Sequence, residues 1–213
     1  MFIIYFFQVA TIIYLAYLAG SIAQSTFKIG GGTALQTKIY AIMIGYGFLG
    51  NLALLLALCG IFRSLYFYII FCLILIFAWN TIKTDLSGIK VFYRKKYEIL
   101  DKLKQNFFLK TISAVWMLIL FSISFIPSAI SDDGFFYHLP FILDIINKAA
   151  IKFPVMGNAT YGHLPLFGEL LYAIPTLLFK NFITFKLLQW SAFFLLFLLL
   201  IDFANRHLKN KLL

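Results

Sequence analysis

The amino-acid sequence predicts an all-α protein, a polytopic transmembrane helical bundle of about five spans with amphipathic interfacial helices in its outer loop. Composition is the first reason. Of the 213 residues, 62% are hydrophobic and 12% are charged, whereas soluble domains carry about 25% charged residues. Long uncharged runs are the second reason, since a helix needs about 20 apolar residues to cross a bilayer. Helices satisfy their own backbone hydrogen bonds there, which excludes open sheets.

Five segments meet this requirement or come close to it. Four are long and apolar, namely Ile3–Ala23, Ile39–Phe62, Thr111–Ile130 and Ile183–Ala204. The segment Leu65–Ile82 is slightly short but uncharged, and we count it as the fifth span.

A sixth apolar segment, Pro165–Phe179, differs from these five. Its 15 residues would extend about 22 Å as a helix, and it contains Glu169 and Pro175. A short segment with a carboxylate and a proline is more typical of an interfacial or re-entrant element than of a span.

The basic residues predict the orientation. Lys and Arg number 18 against 8 Asp and Glu, and eight of the basic residues fall between Lys83 and Lys110. The positive-inside rule places that loop in the cytoplasm and the loop from Ser131 to Leu164 on the outer face. The positive charge is therefore explained by topology and by contact with membrane lipids, and we expect no nucleic-acid partner.

Two adjacent carboxylates, Asp132 and Asp133, follow the span Thr111–Ile130 directly. A turn and a helix N-cap are one explanation, since Asp and Gly favour both. A functional site is the other, because two of the eight acidic residues stand side by side and His138 and His163 share their loop.

An amphipathic helix is predicted after this pair, starting at Pro140, which suits a first helical turn. Asp144, Lys148 and Lys152 recur at i, i+4 and i+8. Asp before Lys at this spacing is the favourable order for an ion pair. We expect this helix to lie in the outer membrane interface with its apolar side towards the lipid.

Together these features resemble a known family. The acidic pair after a span, the Tyr137-His138-Leu139-Pro140 helix start, the segment Pro165–Tyr172 and a final span resemble the first half of a GT-C-fold glycosyltransferase core. This superfamily includes the protein O-mannosyltransferases, the aminoarabinose transferase and the RgtA/B/C/D-like bacterial enzymes. The resemblance covers Thr111 to about Lys211 and divides the chain into an N-terminal three-span region, 1–110, and a core portion, 111–213.

The resemblance implies a hexosyl- or pentosyltransferase. Such enzymes transfer a sugar, with inversion, from a polyprenyl-phosphate donor to a lipid, glycan or protein acceptor outside the cytoplasm. It also implies a multi-pass protein of the bacterial inner (cytoplasmic) membrane. Relatives have many more spans, so we expect the 213 residues to be the N-terminal portion of a longer chain.

The same resemblance implies roles for individual residues. Asp132 or Asp133 would be the general base that takes the acceptor proton, although such a pair also suits a divalent metal; no other cofactor is implied. The remaining candidates would bind substrate: Tyr137, His138, His163, Glu169, Lys148 and Lys152.

A non-enzymatic multi-span membrane protein, such as a transporter or a flippase or accessory subunit, is the alternative. Ion-coupled transport favours ionisable groups within the spans. The middles of the predicted spans are nearly free of them.

Overall fold

The computed structural model describes residues 2–29, 32–94, 107–123, 139–151 and 167–207. Within these ranges the regular structure is helical throughout, without strands. The helices are α1 (Phe2–Phe27), α2 (Ala34–Leu58), α3 (Ser64–Phe77), α4 (Trp79–Arg94), α5 (Phe107–Ile123), α6 (Leu139–Lys148), α7 (Phe167–Phe179) and α8 (Ile183–His207).

The tightest contact in the fold joins α1 and α2 as an antiparallel pair. Each helix carries an alanine and a glycine four residues apart, Ala16 and Gly20 on α1 and Ala41 and Gly45 on α2. Gly20 faces the carbonyl of Ala41, Gly45 faces that of Ala16, and a Cβ atom at either glycine would overlap the facing oxygen. Small residues at this spacing let membrane helices approach closely, because no side chain separates their backbones.

Helix α8 runs in the same direction as α1. Near their N-termini, the Thr184 hydroxyl donates to Gln8 Oε1 at 2.9 Å. Near their C-termini, the Thr33 hydroxyl lies 3.5 Å from Asp202 Oδ1. We call the first end of the bundle the outer end and the second the inner end, after the orientation that the basic loop predicts.

The middle of the bundle formed by α1, α2 and α8 contains a buried polar contact. The hydroxyls of Tyr46 on α2 and Ser191 on α8 lie 2.8 Å apart, and Ser191 also donates to the carbonyl of Leu188 at 2.6 Å. Buried hydroxyls need such partners because their desolvation is costly. The contact therefore fixes the register between α2 and α8.

Among the described residues, three helices are long and apolar enough to cross a membrane, and this length and composition support a membrane protein: Ile3–Phe27, Ala34–Leu58 and Ile183–Phe203. They confirm three predicted spans with shifted ends. Helix α2 begins before Ile39 because Thr33 and Gln36 form a capping box at its N-terminus. It ends at Leu58, before the predicted Phe62, and Gly60 follows with a φ of 73°.

The predicted span Leu65–Ile82 is broken in the structure. Helix α3 ends at Phe77, and α4 continues from Trp79 with a bend of 67°. The 14 residues of α3 extend about 21 Å, which is less than the ~30 Å hydrocarbon core. The described residues thus hold three candidate spans, or four if this bent pair counts as one, and the prediction of about five is not confirmed.

Helix α5 covers the first part of the predicted span Thr111–Ile130. Its 17 residues end at Ile123, and residues 124–130 lie outside the described ranges. The indole of Trp190 on α8 donates to the carbonyl of Met117 on α5 at 3.3 Å. A fifth crossing at this position stays a prediction.

Candidate functional site

Helices α6 and α7 pack on each other at the outer end of the bundle, and the sequence places its candidate residues on or beside them. Phe141, Ile142 and Ile145 form the buried face of α6. They belong to the same apolar cluster as Leu170 and Ile174 of α7. Burial of these side chains, rather than helix propensity, holds so short a helix in place. The prediction that the apolar side of this helix faces the lipid is wrong for these three residues, because they pack on protein.

Two backbone hydrogen bonds attach α6 to the outer end of α2. The N–H of Phe62, in the turn after α2, donates to the carbonyl of Ala149 at 2.9 Å, and the N–H of Ile151 donates to that of Ala57 at 3.1 Å. The segment that follows the acidic pair in the sequence is thus anchored to the central bundle. We call α6, α7 and this turn the outer platform.

The predicted ion pair on α6 is confirmed. Lys148 Nζ lies 2.7 Å from Asp144 Oδ1, with side-chain exposures of 41% for Lys148 and 16% for Asp144. An exposed pair of this kind adds only about 0.3–0.5 kcal/mol to stability. Its main consequence is that an ammonium group is held at a fixed place on the outer platform.

The predicted continuation of α6 to Lys152 is wrong. The helix ends at Lys148, and Ala149 has a φ of 53°. This left-handed conformation turns the chain out of the helix, and the Ile151 N–H donates to α2 instead of to α6. The face formed by Asp144 and Lys148 therefore ends with the helix, and Lys152 lies outside the described residues.

Glu169 is the one carboxylate of helix α7. It lies in the first turn of α7 and is only 8% exposed. The first turn suits a carboxylate because the helix dipole places partial positive charge there. Burial raises the pKa of the Tyr172 phenol one turn away, and the charge of Glu169 raises it further. Tyr172 thus remains a neutral hydrogen-bond donor beside Glu169.

Helix α7 agrees in length with the predicted short element. It runs from Phe167 to Phe179 with Pro175 inside it, and it is too short to count as a span. It contacts α1, α2, α6 and α8. The helix is therefore enclosed by protein, which is where a carboxylate such as Glu169 can be accommodated at membrane depth.

The other candidate residues lie outside the described ranges. They are Asp132, Asp133, Tyr137, His138, Lys152 and His163. Across the described part of the chain, no group of three or more His, Cys, Asp or Glu residues could hold a metal ion.

Comparisons with known proteins give no family. No family model, curated protein or solved structure matches this chain. The GT-C resemblance rests on the sequence motifs quoted above.

A second polar cluster, at the inner end, was not predicted from the sequence. The Tyr17 hydroxyl donates to Asp85 Oδ1 at 3.3 Å, and Lys38 Nζ lies 3.4 Å from the same oxygen. The Lys38 ammonium also lies 5.7 Å from the centre of the Tyr17 ring. The three residues stand on α1, α2 and α4, so no local pattern links them. The one available signal was that Asp85 is the first acidic residue in the chain and follows an apolar run closely.

Proposed function

We propose that this chain is a membrane glycosyltransferase, or the N-terminal part of one, of the bacterial inner membrane. It transfers a hexosyl or pentosyl group from a polyprenyl-phosphate donor to a lipid, glycan or protein acceptor outside the cytoplasm. Asp132 or Asp133 acts as general base.

The packing of α6 on α7 is the observation that supports this proposal most. All eight candidate residues stand either on these helices or within seven residues of them in the sequence. Seven residues of extended chain span at most about 25 Å, which is within the dimensions of one substrate site. Candidate residues on the chain segments beside α6 and α7 need a rigid support to be held in one site, and the packed pair of helices provides it.

The chemistry follows from these residue types. In an inverting transfer the acceptor hydroxyl attacks the anomeric carbon while the bond to the donor phosphate breaks. The hydroxyl proton passes to the Asp132 or Asp133 carboxylate, and polyprenyl phosphate leaves as an anion.

Lys148 and Glu169 suit supporting roles. The Lys148 ammonium has three N–H donors, so it can contact a phosphate while it is paired with Asp144. Glu169, in its first-turn position, can accept hydrogen bonds from sugar hydroxyls.

The test uses membrane vesicles that contain the full-length gene product. Mannosyl and arabinosyl polyprenyl phosphates, labelled on the sugar, are supplied in turn, and loss of the label from the lipid donor is measured. Asp132→Asn or Asp133→Asn is expected to lower donor turnover by about 100-fold or more, because a general base contributes about 10²–10⁴-fold. Glu169→Gln lowers it by a smaller factor.

Asp101→Asn is the matched control, since it removes a carboxylate from the predicted cytoplasmic loop, and turnover by this variant stays unchanged. Equal turnover in wild type, both single variants and the Asp132/Asp133 double variant would overturn the assignment of the base. If the wild-type protein turns over neither donor, the non-enzymatic alternative replaces the enzyme.

A further inference from the structure

A cavity of about 1140 Å³ lies between α4 and the α1–α2 pair, away from the outer platform. It occupies the wedge that forms because α4 leaves α3 at 67°. From α1 the lining residues are Ala10, Ile13, Tyr14 and Tyr17, whose spacing of i, i+3, i+4 and i+7 is one continuous helix face. The cavity therefore follows α1 for about 10 Å at 1.5 Å per residue.

The lining contributed by α1 and α2 changes from apolar to polar along this length, and α4 adds the polar residues Asn80, Thr81 and Thr84. Ala10, Ile13 and Ile42 form the part farther from the inner end. Tyr17, Lys38 and Asp85 form the part nearer the inner end. On α2, Lys38 lies one helical turn closer to the inner end than Ile42, so both helices show the same gradient. Apolar walls deep in the membrane and a charged mouth near its surface match the two parts of a lipid molecule.

The mouth of the cavity presents a cation that is held in position. Lys38 is 60% exposed, and its ammonium is restrained by Asp85 at 3.4 Å and by the Tyr17 ring at 5.7 Å. An ammonium has three donors, so donors remain for a ligand. Lysine binds phosphate as a compact positive charge.

The surrounding charge favours an anionic ligand. Helix α4, which forms one wall, carries Lys83 and has Asp85 as its one acidic residue. Lys83 lies over the Trp79 ring at 5.6 Å, and Trp and Lys together are typical of the membrane–water interface. Basic residues at this position attract the anionic lipids of the inner leaflet.

We propose that this cavity binds one anionic glycerophospholipid of the inner leaflet. Its phosphate contacts Lys38, and an acyl chain lies along Ala10, Ile13 and Ile42. This site is separate from the proposed sugar-transfer site, since it is lined by α1, α2 and α4 and not by α6 or α7.

The test measures lipid retained by the purified full-length chain in detergent, using native mass spectrometry during titration with phosphatidylglycerol or phosphatidylcholine. Wild type is expected to bind one phosphatidylglycerol with at least a tenfold preference over phosphatidylcholine. Lys38→Met loses this preference, and Lys38→Arg keeps it. Ala10→Trp, which fills the apolar part without changing any charge, weakens binding of both lipids by at least tenfold.

Lys28→Met is the matched control, because Lys28 lies near the same end but does not line the cavity. Thermal unfolding verifies that each variant is folded. An equal loss in Lys28→Met and Lys38→Met would overturn the proposal, since it would mean non-specific attraction of anionic lipid. Displacement of the lipid by inorganic phosphate, with Ala10→Trp unaffected, would overturn it too, because the site would then bind the phosphate group alone. Absence of any retained lipid would also overturn the proposal.

Discussion

The contact between α1 and α2 gives a prediction whose magnitude follows from geometry. Gly45→Ala places a Cβ atom on the carbonyl oxygen of Ala16, and that oxygen belongs to the backbone of α1 and cannot rotate away. The two helices must therefore separate. Gly47, on the same helix, has no neighbouring atom within 4 Å of an added Cβ, so Gly47→Ala is the matched control.

The comparison isolates the cost of the overlap. Alanine gains about 1 kcal/mol over glycine in a helix interior, and this gain is common to both variants. Overpacking costs about 1–3 kcal/mol and applies only to Gly45→Ala. We therefore expect Gly47→Ala to be as stable as wild type or slightly more stable, and Gly45→Ala to be about 1–3 kcal/mol less stable than Gly47→Ala.

The assay is unfolding in mixed micelles of dodecyl maltoside and increasing SDS, followed by far-UV circular dichroism. Gly20→Ala, which overlaps the carbonyl of Ala41, should behave like Gly45→Ala. The Gly20→Ala/Gly45→Ala double variant should lose less free energy of unfolding than the two single variants lose together. Helices already separated by one substitution accommodate the second more easily. Equal stability of Gly45→Ala and Gly47→Ala would refute the close approach of α1 and α2.

Three further predictions concern single contacts. Tyr46→Phe removes the 2.8 Å bond to Ser191 and should cost about 1 kcal/mol in the same assay; a null effect would argue against this buried pair. Asn181→Ala removes the acceptor of the Thr184 N–H at 2.9 Å. The free energy of unfolding should fall by about 1 kcal/mol, and the first turn of α8 should exchange its amide hydrogens faster. Unchanged exchange would exclude a capping role. Lys148→Met should change stability by less than about 0.5 kcal/mol but lower donor turnover at least tenfold; full activity would remove Lys148 from the site.

Much of the helical framework could be predicted from the sequence. The long apolar runs locate α1, α2 and α8, because their composition alone requires a membrane environment. The Asp144–Lys148 spacing locates α6 for a similar reason, since an i, i+4 pair is a local property. Helix ends were less predictable, because the capping box at Thr33 lies before the apolar run Ile39–Phe62 and the turn at Gly60 lies within it.

The bend between α3 and α4 could not be predicted by counting uncharged residues. No proline or glycine marks it, and the segment Leu65–Ile82 contains no charge. Its last residues include Asn80 and Thr81, and the polar composition of α4 indicates that the chain leaves the apolar environment before Lys83. An average over the whole segment conceals this change.

Tertiary pairing explains the remaining differences. Asp85 meets Tyr17 and Lys38 across 68 and 47 residues of chain, so no local pattern reveals the cluster. The α1–α2 contact, in contrast, had a local signal. Ala16 and Gly20 repeat the four-residue spacing of Ala41 and Gly45, as expected of packed membrane helices.

The outer platform and the basic inner end are expected to lie on opposite sides of the membrane. Single cysteines at exposed positions, Asn147→Cys on α6 and Ser87→Cys on α4, test it in a background with Cys59→Ala and Cys72→Ala. Intact cells are treated with a membrane-impermeant maleimide, and labelling is repeated after permeabilisation. We predict that the position 147 cysteine is labelled in intact cells and the position 87 cysteine only after permeabilisation. Labelling of both from the same side, or the reverse pattern, would contradict this arrangement.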